Sequence, residues 1–459
     1  MPMSPQERRA LMLEGPVGRA LTRLALPIIL ANILQAGYQL TDAFWVGRLG
    51  AAAVAAVTIS FPVTFLVIAA GAGLAMAGSV MVAQHAGAGR QDQVNHVAAQ
   101  TMLMVALTSL AAGTVGYLLS PLLVRLLGVA PEVHDGALRF MRVSFIGIGF
   151  VFLYGLFQGL MRSVGHTRAP LIILGGTVAL NFLLDPLFIF GFGPVPAQGV
   201  MGAALATVVT QGLATAAGLA TCLRGRHGIH LSWRHFRPDL DHLRRAFRLG
   251  LPGSVEMSAR SIGPLVLSFL VAKLGTVAIA AYGVGSNVLQ MVVIPAMGLS
   301  MAVSTVAGQN RGAGNLARAH EAVMRASVYS LAGLTAAGLV AYAAAPAIAT
   351  LFVPGDPVVI AEGARFIRIM CLSWGGIGLQ LCALSAFRAA GRMAYAMGIA
   401  LVGLLVIQLP LAYGLSATVH PATTGFWLSF PIANVLVGLG AFLWYRHSES
   451  RTPAAPLTA

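Results

Sequence analysis

Leu24-Ala25-Leu26-Pro27 returns 225 positions later as Leu249-Gly250-Leu251-Pro252. The same shift carries Val46-Gly47-Arg48-Leu49-Gly50 onto Val271-Ala272-Lys273-Leu274-Gly275. It also carries Gln84-His85-Ala86-Gly87-Ala88-Gly89 onto Gln309-Asn310-Arg311-Gly312-Ala313-Gly314. No gap is needed over this stretch, and roughly a third of the aligned positions are identical, which marks an internal duplication. After one inserted residue the match resumes. Arg139-Phe140-Met141-Arg142 pairs with Arg365-Phe366-Ile367-Arg368, and Arg162-Ser163-Val164-Gly165 with Arg388-Ala389-Ala390-Gly391. The duplication therefore reaches through at least four helices of each half. A greasy chain built as two like halves is what a pseudo-symmetric central cavity in a membrane requires.

The composition says which solvent the chain lives in. Of 459 residues, 57% are hydrophobic and only 9% charged, with mean hydropathy +0.81. A soluble domain carries about 25% charged residues. Apolar blocks of about 20 residues recur along the chain, each long enough to cross a bilayer as a helix. The alternating segments of about 10 residues that mark a transmembrane β-barrel are absent. About twelve spans are predicted, at roughly 20–46, 52–82, 96–120, 136–160, 168–192, 198–222, 246–270, 276–306, 322–347, 360–386, 393–416 and 424–445. The fold class is thus all-α integral membrane, with two six-helix lobes. Six helices precede the longest polar stretch and six follow it, so both halves enter from the same side. The repeat is then parallel, about a pseudo-two-fold axis along the membrane normal.

The net charge of +15 suggests nucleic acid, but its distribution does not. With the N-terminus in the cytoplasm, Arg residues such as Arg90, Arg162, Arg226, Arg245, Arg311, Arg388 and Arg451 fall on the inner face. Only Arg48, Arg125, Arg139, Arg142, Lys273, Arg365 and Arg368 fall outside. The asymmetry of about three to one is a positive-inside signal. It puts both termini in the cytoplasm of a multi-pass protein, expected in the bacterial cytoplasmic (inner) membrane.

The predicted layout is an N-lobe at 1–222, a cytoplasmic linker at 223–245, a C-lobe at 246–447 and a cytoplasmic tail at 448–459. From Pro238 the linker reads as a short amphipathic helix on the inner membrane face. No cleavable signal is expected, because the first apolar block exceeds a signal core of 7–15 residues. Cys222, Cys371 and Cys382 lack metal-ligand spacing and read as small apolar packers. No P-loop, HExxH, GxSxG or CxxC is present, and the His residues scatter over polar loops, so enzymatic chemistry is not indicated. No bound cofactor or metal is expected, and the partners are a small-molecule substrate and the bilayer. One chain encloses the whole cavity, so a monomer suffices.

Charges inside spans are few, and each costs roughly 2.5–3.5 kcal/mol near the bilayer centre on insertion scales. Asp42 and Asp185 lie near the outer ends of the first and fifth spans, at similar depth. Asn181 stands one turn before Asp185, on the same face. Two carboxyls in one partly dry pocket cannot both be charged cheaply. A carboxyl that trades its proton could load and release H+ as the pocket opens to each side, and an ionised pair with an amide oxygen could cage Na+. The bland alternative is a carboxyl facing vestibule water or capping a helix end. Glu256 and Arg260, at i and i+4, read as a self-neutralising pair, with a second cation site in the C-lobe as the alternative. Gln35, Tyr38, Gln158 and Thr207 could line an N-lobe cavity or make helix-packing hydrogen bonds. Pro27 opens the helix that carries Asp42 and could act as a hinge.

These motifs together resemble the multidrug and toxic compound extrusion (MATE) transporters, nearest their DinF-like branch. The resemblance covers about residues 15–445. It rests on Leu24-Ala25-Leu26-Pro27 with Asp42 and Gly47-Arg48-Leu49-Gly50, on Gln158-Gly159-Leu160-Met161-Arg162 with Gly165, and on Asn181-Phe182-Leu183-Leu184-Asp185-Pro186. Gly202-Ala203-Ala204-Leu205-Ala206-Thr207, Pro295-Ala296-Met297-Gly298-Leu299 and Gly308-Gln309-Asn310-Arg311-Gly312-Ala313-Gly314 complete it. The resemblance implies an antiporter that expels amphipathic, often cationic compounds in exchange for H+ or Na+. It gives Asp42 the coupling role, with Asn181, Asp185 and Thr207 as its network. The acidic residue that NorM-type relatives place in the tenth helix has no counterpart in 365–388, which favours protons. The competing reading is a lipid-intermediate flippase of the same superfamily. That would want a basic central cavity, and of the arginines only Arg260 falls near the middle of a predicted span.

Overall fold

The computed structural model describes residues 5–225 and 227–450; Arg226, Arg451 and the tail from 451 lie outside the described residues. A short helix α1 (Pro5–Leu13) precedes α2 (Val17–Gly47), α3 (Ala51–Gly87), α4 (Gln91–Leu126), α5 (Pro131–Ser163), α6 (Arg168–Phe190) and α7 (Val200–Leu223). A 3-10 turn at Trp233–Phe236 leads to α8 (Leu240–Ala272), α9 (Thr276–Gly312), α10 (Leu316–Phe352), α11 (Pro357–Cys371) and α12 (Trp374–Ala389). The chain closes with α13 (Met393–Thr418), whose middle, Val402–Gln408, winds as π-helix, and α14 (Ala422–Ser450). Eleven of these are long and apolar enough to span a bilayer, and α11 with α12 makes a twelfth, bent by 50°. The described fold is all-helical and multi-pass, in agreement with the reading of the sequence.

Two expectations need correction. The predicted span 360–386 is not one helix. It breaks at Leu372-Ser373, where the Ser373 hydroxyl donates to the Met370 carbonyl and accepts from Asn434 Nδ2 at 3.0 Å. A side chain that offers the backbone an alternative partner competes with the helical ladder. The amphipathic helix expected from Pro238 is likewise not a separate element. It forms the first turns of α8, which runs unbroken from Leu240 into the apolar span.

The duplication shows in the joints. Gly50 and Gly275 adopt φ of 99° and 108° just before α3 and α9, a left-handed geometry that glycine takes without a Cβ penalty. Gly73 of α3 lies against α8 so closely that a Cβ there would overlap the backbone nitrogen of Ser254. At the repeated positions, a Cβ on Gly298 of α9 would overlap Ile29 of α2 and press on its backbone nitrogen at 3.1 Å.

The chain separates into two compact units that exchange the opening segments of the two halves. The first contains residues up to Arg9 and Leu30–Ser258; the second contains Ala10–Ile29 and continues from Ala259. In the first unit, α5 packs on α3, α4 and α7 around Met141, Phe145, Phe157 and Leu160, all buried. In the second, Phe366, Trp374, Phe426 and Trp427 form one core, and Leu21 and Leu24 of α2 pack with Ala322, Phe387 and Tyr445 in another. The glycines Gly376 and Gly438 let α12 and α14 touch backbone to backbone.

Within the first unit the linker is held by side chains of α4, Gln91, Asn95 and His96 among them, and Gln100 makes three of the bonds. Gln100 of α4 is fully buried. Its Nε2 donates to the carbonyls of His235 and Arg237, both at 2.7 Å, and its Oε1 accepts from the Asp239 N–H at 3.1 Å. Gln100→Leu leaves those three backbone groups without partners. At about 1 kcal/mol per hydrogen bond, the variant should lose about 3 kcal/mol. A lowered melting midpoint in detergent, with faster proteolysis within 227–240, is the expected result.

Candidate functional site

The first unit brings Asp42, Asp185, Asn181 and Thr207 together. Asp42 comes from the last turns of α2, Asn181 and Asp185 from one face of α6, and Thr207 from α7. The Asp42 and Asp185 carboxyls lie side by side in direct interaction. Asn181 Nδ2 donates to Asp185 Oδ1 at 3.0 Å, and Thr207 Oγ1 donates to Asp42 Oδ2 over a long 3.5 Å. One turn before Asp42, the Tyr38 hydroxyl hydrogen-bonds Thr210 Oγ1 at 2.8 Å in a buried contact. These side chains join α2 to α6 and α7.

The cluster is short of donors. Asp42 Oδ1, Asp185 Oδ2 and Asn181 Oδ1 are all shielded from solvent without a hydrogen-bond partner. Buried acceptors left unpaired cost about 1–3 kcal/mol each, more when charged. Among the described residues neither carboxylate forms an ion pair. A proton placed between two adjacent carboxyls removes the repulsion and supplies one missing donor at once. Chemically, such an arrangement can accept a proton or another small cation.

The other sequence-predicted residues are distributed unevenly. Gln35, Tyr38 and Asp42 share a face of α2, at i, i+3 and i+7. Gln35 is half-buried. Gln158 is elsewhere: it lies beside Tyr154, whose hydroxyl donates to the Pro170 carbonyl at the opposite end of α6. At 1.5 Å per residue, Pro170 and Asp185 are about 22 Å apart along the helix. Pro27 does not open the helix that carries Asp42, against the expectation from sequence: α2 begins at Val17 and stays helical throughout, with Pro27 in its interior. Its missing N–H leaves the Arg23 carbonyl without its usual donor. The helix passes from one unit to the other two residues later, between Ile29 and Leu30. Glu256 is fully buried in α8, and Arg260 follows one turn later, half-buried.

Three features were not anticipated. Thr210, one turn beyond Thr207, anchors Tyr38. Trp45, one turn beyond Asp42, packs its ring against Phe182 and Phe190 at 5.7 and 6.3 Å, with the Arg48 guanidinium 5.0 Å above it. Their helical spacing from Asp42, Asp185 and Thr207 was the available signal. Glu362, inside a predicted span, accepts a hydrogen bond from Trp427 Nε1 at 2.7 Å.

The family model MatE matches the chain twice, over residues 27–187 and 252–414. The chain belongs to the MatE family. The two matches begin at Pro27 and Pro252, the same pair that opens the repeat. The first MatE segment holds Asp42, Asn181 and Asp185, and the second holds Glu256 and Arg260; Thr207 lies in neither. Among MatE-like proteins, the chain is similar to the probable multidrug resistance protein YoeA of Bacillus subtilis, 28% identical over 95% of this chain and 96% of that one. It is also similar to the FAD transporter of Shewanella oneidensis, 27% identical over 94% and 95% of the two chains. A MATE crystal structure in complex with MaL6 superposes with a TM-score of 0.90, covering 96% of this chain and 98% of that one at 23% identity, a likeness of fold.

Proposed function

We propose that the chain is a secondary antiporter of the DinF-like branch that exports amphipathic, cationic small molecules in exchange for protons by alternating access. The observation that carries this reading is the donor-poor pair at the junction of α2, α6 and α7, with Asp185 buried and Asp42 half-buried but its Oδ1 shielded. Asp42 is the coupling carboxylate. Asn181, Asp185 and Thr207 hold it and respond to its charge. When Asp42 gains a proton, the repulsion across the pair vanishes and Asp42 can donate to Asp185. The helix carrying it then repacks, with Pro27 as the point of bending, and the N-lobe cavity shrinks. Loss of the proton to the other compartment resets the helix. The protein works as a monomer in the bacterial cytoplasmic membrane with both termini inside, without nucleic acid, bound cofactor or covalent chemistry.

Proton coupling is preferred to Na+ because two adjacent carboxyls need only one proton to become mutually compatible. No carboxylate lies on α12, Trp374–Ala389. A lipid-intermediate flippase is not favoured, since the two relatives described above, matched over nearly their whole length, are named for drug resistance and FAD transport. The test is reconstitution in liposomes, with substrate movement followed under a pH gradient alone and a Na+ gradient alone. A lipophilic cation and FAD serve as the two probes. Efflux of the cation under the pH gradient alone is expected. Movement driven only by Na+ would reassign the coupling ion, and movement of FAD alone would reassign the substrate.

A further inference from the structure

The second unit carries a cleft that takes no part in the carboxylate pair. It lies where α8 ends and α9, α11 and α14 begin, and is a largely open groove of about 470 Å³. That volume falls in the range of small-molecule sites, about 300–1,000 Å³. Its walls are apolar, with Leu274, Val277, Pro357, Val358 and Ala361, and the acidic group among them is Glu362.

The Glu362 carboxylate is held in a fixed position. Oε1 accepts from Trp427 Nε1 at 2.7 Å, and the Trp427 side chain is fully buried. Its ring is wedged 4.1 Å from Phe366 and 5.4 Å from Phe426, centroid to centroid. Swinging the carboxylate away would strand a buried indole N–H. The other oxygen, Oε2, makes only a loose contact with Arg365 Nη1 at 4.0 Å. The Arg365 side chain is 44% exposed, against 17% for Glu362, so it can withdraw into water while the carboxylate stays. Asp356 is committed elsewhere, capping α11 through the N–H groups of Val358 and Val359.

We propose that this cleft is a peripheral binding site for lipophilic monocations, with the apolar walls taking the hydrocarbon and Glu362 the charge. Arg365 is the built-in competitor that an arriving cation displaces. The site is separate from the Asp42 pair, and its occupancy does not depend on which ion drives transport.

Equilibrium binding of radiolabelled tetraphenylphosphonium to the full-length protein in detergent, with no gradient, tests the proposal. Glu362→Gln keeps an oxygen for Trp427 Nε1 but removes the charge. It should weaken one site per chain by about tenfold, the worth of one charge-assisted contact. Arg365→Gln should tighten the same site by about threefold, an effect that a purely structural Glu362 would not produce. Val358→Trp, at a rim position that is 62% exposed, should block it. Asp42→Asn should leave this site unchanged, which separates the result from the coupling scheme. Unaltered binding in Glu362→Gln, or weaker binding in Arg365→Gln, overturns the proposal.

Discussion

Asp42→Asn is expected to reduce gradient-driven efflux to the level of empty liposomes while leaving the protein folded. The substitution is isosteric and carries no charge. It imitates the protonated side chain permanently, so no proton can be released and the cycle stops after one half-turn. The site geometry adds a second expectation that a merely inactivating lesion would not produce. Asp185 Oδ2 is a buried acceptor without a donor. An amide at position 42 can offer it an N–H and also removes one of two adjacent negative charges. The variant should therefore be as stable as wild type or more so, by about 1 kcal/mol, seen as an equal or higher melting midpoint. Gain of stability at the cost of function is common where a strained site is relieved. Asp185→Asn should retain part of the coupled efflux, because Asp42 still carries the proton. Normal efflux by Asp42→Asn would reject the mechanism.

Gly73→Val is expected to have the largest effect on folding. A Cβ at Gly73 meets the backbone of Gly253 and Ser254 rather than a flexible side chain. Backbone cannot rotate aside, so α3 and α8 must separate. The hydrogen bond from the Ser254 hydroxyl to the Ala70 carbonyl would be lost with them. Overpacking of this kind costs about 3 kcal/mol or more, and yield of folded protein should collapse. Gly298→Val, at the repeated position against Ile29, should do the same in the second unit. Gly283→Val is the control. Gly283 sits in α9 with no neighbour within 4 Å of a Cβ, and the change should be tolerated. The contrast is read as monodisperse protein recovered after solubilisation. Equal recovery of all three variants would remove Gly73 and Gly298 as points of obligatory close contact.

Much of the fold is legible in the sequence because a bilayer leaves few options. Every backbone polar group must be satisfied within the spanning segment, so an apolar block of sufficient length becomes a helix. That is why the spans from α2 to α10 match their predicted blocks, with most of the helices other than α6 and α7 running several residues further at their polar ends. The break at Leu372-Ser373 was not legible. It depends on Asn434, some sixty positions away, reaching the Ser373 hydroxyl. The candidate site divides in the same way. Asp42, Asn181 and Asp185 announce themselves as polar groups in apolar surroundings, where each needs a reason. Thr210 does not, since a threonine in a helix usually bonds its own backbone, as this one also does to Ala206. Gln158, read as a cavity residue, lies beside Tyr154, whose hydroxyl meets the Pro170 carbonyl about 22 Å along α6 from Asp185.

The sequence by itself determined the duplicated, all-helical, membrane-spanning plan and the scarcity of buried charge, because periodicity, length and hydropathy are local properties of the chain. Only the tertiary structure decided which residues meet. It placed Asp42 beside Asp185 with three unpaired oxygens, anchored Tyr38 on Thr210, fixed Glu362 on Trp427, and divided α2 and α8 between the two units at Ile29–Leu30 and Ser258–Ala259. The physical reason is that such partnerships depend on helix rotation and crossing. Those are set by how small residues such as Gly73 and Gly298 let backbones approach, and no single segment encodes its own neighbour.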